Sequence, residues 1–270
     1  MKNILTIAGS DSCGGAGIQA DLKTMSALGV YGMSVITAIT AQNSMGVHAI
    51  QEVSEEMIKQ QLEAIFDDIE VDAIKIGMLS SSTVIKTILS TLKKYSCKNI
   101  VIDTVMLSKN RYKLLQDEGM EDLKKLIALG TVVTPNIPEA EVLANMEIKN
   151  EKDMIEAGKK IQSLGAKNIL IKGGHREDDC TDVLLLENGE VLKFPEVRIS
   201  TKHTHGTGCT LSSAIASFIG KGYSVEESVK LSKEYITEAI RNSFPLGKGV
   251  GPLGHLIELY KKAGIEYKKN

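Results

Sequence analysis

The 270 residues are 43% hydrophobic and 4% aromatic with no Trp, and 32 basic against 34 acidic residues leave a formal net charge of −2. That length holds one large α/β domain or two small ones, around a core of Ile, Leu, Val, Ala and Met. The lack of a basic stripe argues against nucleic acid, and the lack of any apolar run of about 18 residues argues against a membrane span; four scattered cysteines (Cys13, Cys97, Cys180, Cys209) without a CxxC argue against structural zinc and for a reducing cytoplasm.

Strand and helix alternate almost throughout. The opening Met-Lys-Asn-Ile-Leu-Thr-Ile-Ala-Gly-Ser-Asp turns polar too soon for a signal peptide and reads as a first strand over residues 4–8. Residues 16–28 carry helical periodicity and stop at Gly29; residues 33–39 are a second β-rich run and 47–53 a short strand. Ser54 caps a helix whose first turn holds Glu55 and Glu56. Strands over 73–76, 100–103, 132–134 and 169–172 alternate with helices over 83–93, 121–129 (closed by Gly130) and 153–164 (closed by Gly165). Asn188-Gly189 between the runs 183–187 and 190–194 is a hairpin signal, and helices over 208–220 and 224–242 come last. The alternation predicts a mainly parallel sheet between helices on both faces, with a small antiparallel addition late in the chain. No repeat, low-complexity run or linker divides it, so a single domain over 1–270 is expected.

Ligands of such sheets bind at the carboxyl ends of the strands, and the glycine-rich and polar segments fall there. The most informative is His205-Gly-Thr-Gly-Cys-Thr-Leu211, a loop turning into an apolar small-residue helix. Helix N-termini present free N–H groups and a partial positive charge, and so bind anions. Gly206 and Gly208, either side of Thr207, let an anion approach the backbone. Cys209 then sits where a thiolate is stabilised, although a free cysteine also reads as simple core filling.

Gly9-Ser-Asp-Ser-Cys-Gly-Gly-Ala-Gly17 comes after a strand and opens a helix, but matches neither GxGxxG nor a Walker A loop. It reads as a tight βα turn or as a backbone wall under a flat ligand. Asn136-Ile-Pro-Glu139 is either an N-cap with a first-turn acid or a carboxylate holding Mg²⁺ through water. Lys172-Gly-Gly-His175 holds either a lysine that reaches a phosphate or a solvated lysine before a turn. Asp103 either sits near a metal or caps the next segment of chain, Gln42 and Asn43 read as turn residues, and Met78 reads as core. A Ser/His/Asp hydrolase lacks its GxSxG elbow. A Cys209 hydrolase using His175 or His255 leaves Asn136, Glu139 and Lys172 without a purpose.

Together these segments resemble the ribokinase superfamily and, within it, the hydroxymethylpyrimidine/phosphomethylpyrimidine kinases of thiamine biosynthesis. The resemblance runs over nearly the whole chain. It is carried by residues 7–21, Thr37-Ala-Ile-Thr-Ala-Gln-Asn43, Lys75-Ile-Gly-Met-Leu79, Asp103-Thr-Val-Met106, residues 134–141, Lys172-Gly-Gly-His175, Thr204-His-Gly-Thr-Gly-Cys-Thr-Leu211 and Gly251-Pro-Leu-Gly-His255. It implies a ribokinase-like three-layer α/β/α fold, ATP, Mg²⁺, a homodimer, and two successive transfers. The first goes to the hydroxymethyl group of 4-amino-5-hydroxymethyl-2-methylpyrimidine and the second to its monophosphate.

Carried over residue by residue, the resemblance implies that Gln42 reads the pyrimidine edge while Gly9, Ala16, Met78 and Val105 line its faces. Asn136 and Glu139 serve the nucleotide–metal site. Lys172 meets the phosphates, residues 206–208 form the anion hole, and Cys209 stands where sugar-kinase relatives carry an aspartate. On physical grounds Cys209, activated by the helix end, is expected to serve as general base for the alcohol. Many relatives have a lysine-serine-glycine turn after the Asp-x-Val-Met segment, where this chain has Lys109-Asn-Arg-Tyr112, a candidate closing flap. Sugar-kinase relatives also insert a β-lid after the first strand; here that strand runs straight into Gly14 and a helix, so no separate lid domain is expected. The nearest rival is a pyridoxal or pyridoxine kinase of the same fold, and Gln42 favours the aminopyrimidine. Further off are a non-catalytic vitamin-precursor sensor and a cysteine hydrolase.

Overall fold

In the computed structural model, residues 1–106, 114–174 and 180–265 are described. Successive strand residues point to opposite faces, and apolar residues on both faces oblige the sheet to be covered twice. Ile4, Ala73, Val101, Val132 and Leu170 join one core cluster, while Leu5, Ile7, Ile74, Ile76, Ile100, Ile102, Val133 and Ile169 join the other.

The strands are β1 (Asn3–Asp11), β2 (Tyr31–Asn43), β3 (Gly46–Glu52), β4 (Ala73–Ile76), β5 (Ile100–Ile102), β6 (Val132–Val133), β7 (Asn168–Ile171), β8 (Asp182–Leu185) and β9 (Val191–Phe194). They form one sheet in the order β3-β2-β1-β4-β5-β6-β7-β8-β9. The pairings from β2 through β1, β4, β5 and β6 to β7 are parallel; β3, β8 and β9 pair antiparallel. Helices α1 (Gly17–Ala27), α7 (Thr207–Gly220) and α8 (Val225–Arg241) cover one face. The other is covered by α2 (Glu55–Phe66), α3 (Ser82–Lys94), α4 (Met120–Ile127), α5 (Ile137–Ala144) and α6 (Glu151–Gln162), and a short α9 (Ile257–Lys262) ends the described chain. This is the expected three-layer ribokinase-like architecture. β1 leads directly into α1 with no lid between them, and among the described residues no helix is long and apolar enough to cross a membrane.

Two features go beyond the local sequence pattern. The early edge is antiparallel as well: β2 extends to Asn43 and folds back through β3. The segment after Asn136 forms α5, which buries Ile137, Ala140, Leu143 and Ala144. Both β1 and β2 are interrupted by register shifts, between Ala8 and Ser10 and between Ala41 and Gln42. Such bulges re-aim side chains at sheet ends, and here they fall at Gly9 and Gln42.

A buried ionic knot ties four elements together beneath those ends. The Asp21 carboxylate on α1 accepts from Thr6 Oγ1 of β1 (2.6 Å), Lys75 Nζ of β4 (2.8 Å) and Ser213 Oγ of α7 (2.6 Å). Lys75 and Asp21 are both 0% exposed. Burial opposes the lysine's charge, but Asp21, with Cys209 and Asp103 further off, outweighs it and holds the Lys75 pKa above the ordinary range. Removing one partner strands the other charge, at a cost of about 3–5 kcal/mol. Urea unfolding of Lys75→Met should show a loss of that order, and Lys75→Met/Asp21→Asn should recover most of it. Equal losses in the single and double variants would contradict the pairing.

Candidate active site

The first glycine loop is organised by Asp11. Its Oδ1 accepts from the Cys13 N–H (2.8 Å), and its Oδ2 accepts from the N–H groups of Gly15 (3.0 Å) and Ala16 (2.8 Å) and meets His205 Nε2 at 2.9 Å. Burial raises its pKa, but these hydrogen bonds, that of His205 foremost, hold the carboxyl below the ordinary range. His205 thereby pins the loop to the start of α7. The two backbones then touch: a Cβ on Gly206 would overlap the Gly15 carbonyl oxygen, and Gly206 itself takes φ +83°. Only glycine meets both demands.

No side chain caps α7: its N-cap is Gly206, and the Thr207 hydroxyl turns back to donate to the Thr204 carbonyl (2.8 Å). α1 starts without a side-chain cap as well. The two helix starts meet at Cys209, whose sulfur accepts the Gly17 N–H. One expectation is corrected here. Burial pushes the Cys209 thiol up to about 11, with Asp21 and Asp103 adding to the rise and Lys75 pulling against it. Without ligand the sulfur is a thiol at neutral pH, because losing water costs its anion more than Lys75 and the helix ends return.

Beside Gly208 lies an ion pair. Lys172 Nζ is 2.8 Å from Asp103 Oδ1, with side chains 15% and 3% exposed, so Lys172 is not a solvated surface lysine. A Cβ on Gly208 would stand 3.2 Å from Asp103 Oδ2 and 3.5 Å from Lys172 Nζ, which places the pair against the first turn of α7. Asn136 and Glu139 form a complete capping box on α5: Asn136 Oδ1 accepts the Glu139 N–H (3.0 Å) and Glu139 Oε2 accepts the Asn136 N–H (2.9 Å). The same Oε2 accepts from Thr104 Oγ1 at 3.1 Å. Burial raises the Glu139 pKa and Asp103 adds to it, while Lys172 draws it down. Asn136 also bridges the strand end at Lys172. The capping reading of this segment is thus correct, and the same carboxylate faces the Lys172–Asp103 pair.

Gln42 stands beside His205, just ahead of the helix start. Its backbone is held to the first loop by Ser12, whose Oγ accepts from the Gln42 N–H (2.9 Å) and donates to its carbonyl (2.8 Å). Its amide contacts Thr40 Oγ1 (3.2 Å) and His205 Nε2 (3.4 Å). Met78 is half-buried against Gly9, where a Cβ would come 3.2 Å from its sulfur. Ala16 abuts Gly206. Val105 donates its N–H to the Asp103 carbonyl (2.9 Å). Direct contacts therefore connect the candidate residues in one site around the start of α7. Lys109, Tyr112 and His175 lie outside the described residues. His255 is committed elsewhere, with Nε2 2.9 Å from Thr210 Oγ1, which removes it from a Cys209 hydrolase.

Sequence reasoning missed Asp11, His205, Thr104 and the Asp21–Lys75 pair as organisers. Lys75 carried a signal: a cation inside Ala-Ile-Lys-Ile, on a strand that parallel sheets bury on both faces.

The family model described as Phosphomethylpyrimidine kinase matches residues 11–254. The chain belongs to that family. It is 41% identical over 254 residues to the hydroxymethylpyrimidine/phosphomethylpyrimidine kinase of Bacillus subtilis, covering 93% of each chain. It is 46% identical over 257 residues to the thiamine biosynthesis bifunctional protein ThiED of Geobacter sulfurreducens; that alignment takes in 94% of this chain but spans only about half, 52%, of the longer relative. Among solved structures, the ADP complex of Bacillus subtilis pyridoxal kinase superposes with a TM-score of 0.89 at 43% identity, over 96% of this chain and 99% of that one. The phosphomethylpyrimidine kinase of Clostridium difficile 630 gives 0.81 at 51% identity, over 89% and 100%.

Two outcomes check this geometry. Gly206→Ala should cost at least about 2 kcal/mol in urea unfolding, from a left-handed φ and a backbone clash together; a near-neutral result would contradict the contact with Gly15. Burial, aided by Lys23, lowers the His255 pKa to about 4 from 6.5. The unfolded chain takes up this proton near pH 6.5 and the folded chain only near 4, so the contribution to stability is complete above 6.5 and fades as pH falls toward 4. Between pH 7 and 4.5 the wild type should lose about 2–3 kcal/mol more than His255→Asn; parallel pH profiles would contradict the buried neutral imidazole.

Proposed function

We propose that the protein phosphorylates 4-amino-5-hydroxymethyl-2-methylpyrimidine with ATP and then phosphorylates the monophosphate to the diphosphate, as a single kinase domain over 1–270 in thiamine biosynthesis. The observation that carries this reading is the uncapped start of α7, with the Lys172–Asp103 pair against Gly208 and Gln42 against His205 just ahead of it. Phosphoryl transfer asks for positioning and charge neutralisation more than covalent chemistry. The backbone of residues 206–208 meets the transferring group, and Lys172 neutralises its charge. Gln42 offers a donor and an acceptor to the ring nitrogen and amine of an aminopyrimidine, between faces formed by Gly9, Ala16, Met78 and Val105.

Among the described residues no cluster of three or more His, Cys, Asp or Glu gathers as a metal cage. Mg²⁺ is held mostly by waters and phosphates, with one or two carboxylates. Asp103 and Glu139, hard oxygens near the start of α7, suit that part, and burial, with Asp103 beside it, raises the Glu139 pKa, a cost that a bound cation would relieve. Bound there, Mg²⁺ supplies charge neutralisation on the phosphates. Asn136 fixes the Glu139 carboxylate through the capping box. A cytoplasmic homodimer completes the proposal, and sedimentation tests the dimer.

A pyridoxal kinase is the second reading, favoured by the likeness to the Bacillus subtilis pyridoxal kinase structure. Gln42 tips the choice, because its paired donor and acceptor match the aminopyrimidine. Turnover of both compounds decides, and a marked preference for pyridoxal would overturn the choice.

Cys209 sits where a substrate alcohol would lie. An alcohol must lose its proton to attack, whereas a phosphate monoester is already largely anionic at neutral pH. Cys209→Ala should therefore slow the first transfer by about 10²–10⁴-fold and the second far less. With a thiol pKa pushed up to about 11, a base role also requires the first transfer to quicken as pH rises from 6 to 9, with the slope absent in the variant. Equal losses in both transfers would contradict a base role.

A further inference from the structure

The surroundings of Gln42 fix more than its place. Asp11 is an ionised carboxylate, since its hydrogen bonds hold its pKa low, and it only accepts. His205 Nε2, 2.9 Å from Asp11 Oδ2, therefore carries its hydrogen. That nitrogen then has no lone pair to accept with, so an amide NH₂ 3.4 Å away would find no partner, whereas the amide oxygen takes a weaker second share of the N–H that points to Asp11. The other end demands the same thing independently. Thr40 Oγ1 has one proton, and it lies 2.9 Å from the Ser10 carbonyl, which only accepts. That proton belongs to Ser10, so the Gln42 atom 3.2 Å from Thr40 Oγ1 must donate and is the nitrogen. With the nitrogen toward His205, two donors would face each other at one end and two acceptors at the other; turned over, both ends are matched.

We infer that His205 and Thr40 are specificity-determining positioning residues: together they lock the Gln42 amide with its oxygen toward His205, ahead of the start of α7, and its nitrogen toward Thr40 of β2. This rests on the reading of Gln42 as the group that meets the pyrimidine edge. The lock consumes one acceptor site on Oε1 and one proton on Nε2 and leaves one of each. A 4-aminopyrimidine edge presents a donor, the exocyclic amine, beside an acceptor, the ring nitrogen, and meets the locked amide directly. The 4-oxo analogue presents an acceptor beside an N–H donor, the reverse pattern, and needs the amide turned over. An unrestrained glutamine would turn and read both, so discrimination between amino and oxo rings lies in the two residues that hold it. Neither residue need touch the substrate to exert this effect. Mismatching a locked polar edge in a desolvated site is costly.

The test compares 4-amino-5-hydroxymethyl-2-methylpyrimidine with its 4-oxo counterpart, for the wild type, His205→Phe and Thr40→Val. The first variant keeps a ring without the N–H, and the second keeps the shape without the hydroxyl. Both kcat/KM and calorimetric Kd are read for each compound. The wild type should prefer the amino compound by about 10²-fold or more. In each variant the ratio should shrink at least about tenfold, mainly through KM, as the oxo compound gains relative to the amino compound. Variants that weaken both compounds alike and keep the wild-type ratio would overturn the lock and leave only a structural role. A wild type that binds the amino compound but does not phosphorylate it would sink the kinase reading, while the Kd ratios would still decide the lock.

Discussion

No side chain fits between residue 206 and the carbonyl of Gly15, and the site depends on that approach of two backbones. It brings the starts of α1 and α7 together over the carboxyl ends of β1 and β4. The positive ends of two helices then converge on one small volume, with Cys209 at their meeting point. Asp11 holds the approach from one side, through three backbone N–H groups and His205. The Asp21 knot holds it from below, through Ser213 one turn beyond Cys209. A charged group buried beneath a binding site costs stability on its own; paired with Lys75 and two hydroxyls, it fixes the position of α7 over the sheet.

Two groups of held side chains stand near the start of α7. Lys172, Asp103, Glu139, Thr104 and Asn136, proposed for the nucleotide, form a connected polar patch whose members fix one another. Gln42, proposed for the ring, is fixed by Ser12, Thr40 and His205. In the proposed transfer both groups are therefore held in place before any ligand arrives, which is how fixed dipoles lower a barrier without reorganising.

Much of this was legible in the sequence. The strand–helix alternation, the glycine at each turn and the Asn-Gly hairpin arise from local patterns, and the structure keeps them. Gly206, Gly208, Cys209, Lys172, Asn136 and Glu139 were each visible as candidate chemistry at a strand's carboxyl end, whereas Gln42 read locally as a turn residue and gained a role only through the family resemblance. What local patterns do not carry is pairing between distant segments. The antiparallel edge at β3 depends on how β2 bends at its bulge. Asp11 and His205 are 194 residues apart, and each alone reads as a loop residue. The Cys209 ionisation was misread for the same reason. A helix start favours a thiolate, but the burial that opposes it comes from packing that no local motif reveals. Likewise Asn136 and Glu139 read as either cap or ligand, and the fold shows the cap, with the same Glu139 oxygen also accepting from Thr104.

The central claim is that an anionic phosphoryl group rests on the backbone of residues 206–209 while Gln42 holds the ring. The most direct measurement is the change in amide NMR resonances when a non-hydrolysable ATP analogue and the aminopyrimidine are added together. The largest shifts should fall on the backbone amides of Gly206, Thr207, Gly208 and Cys209 and on the Gln42 side-chain amide. Shifts concentrated elsewhere, with those amides unmoved, would contradict it.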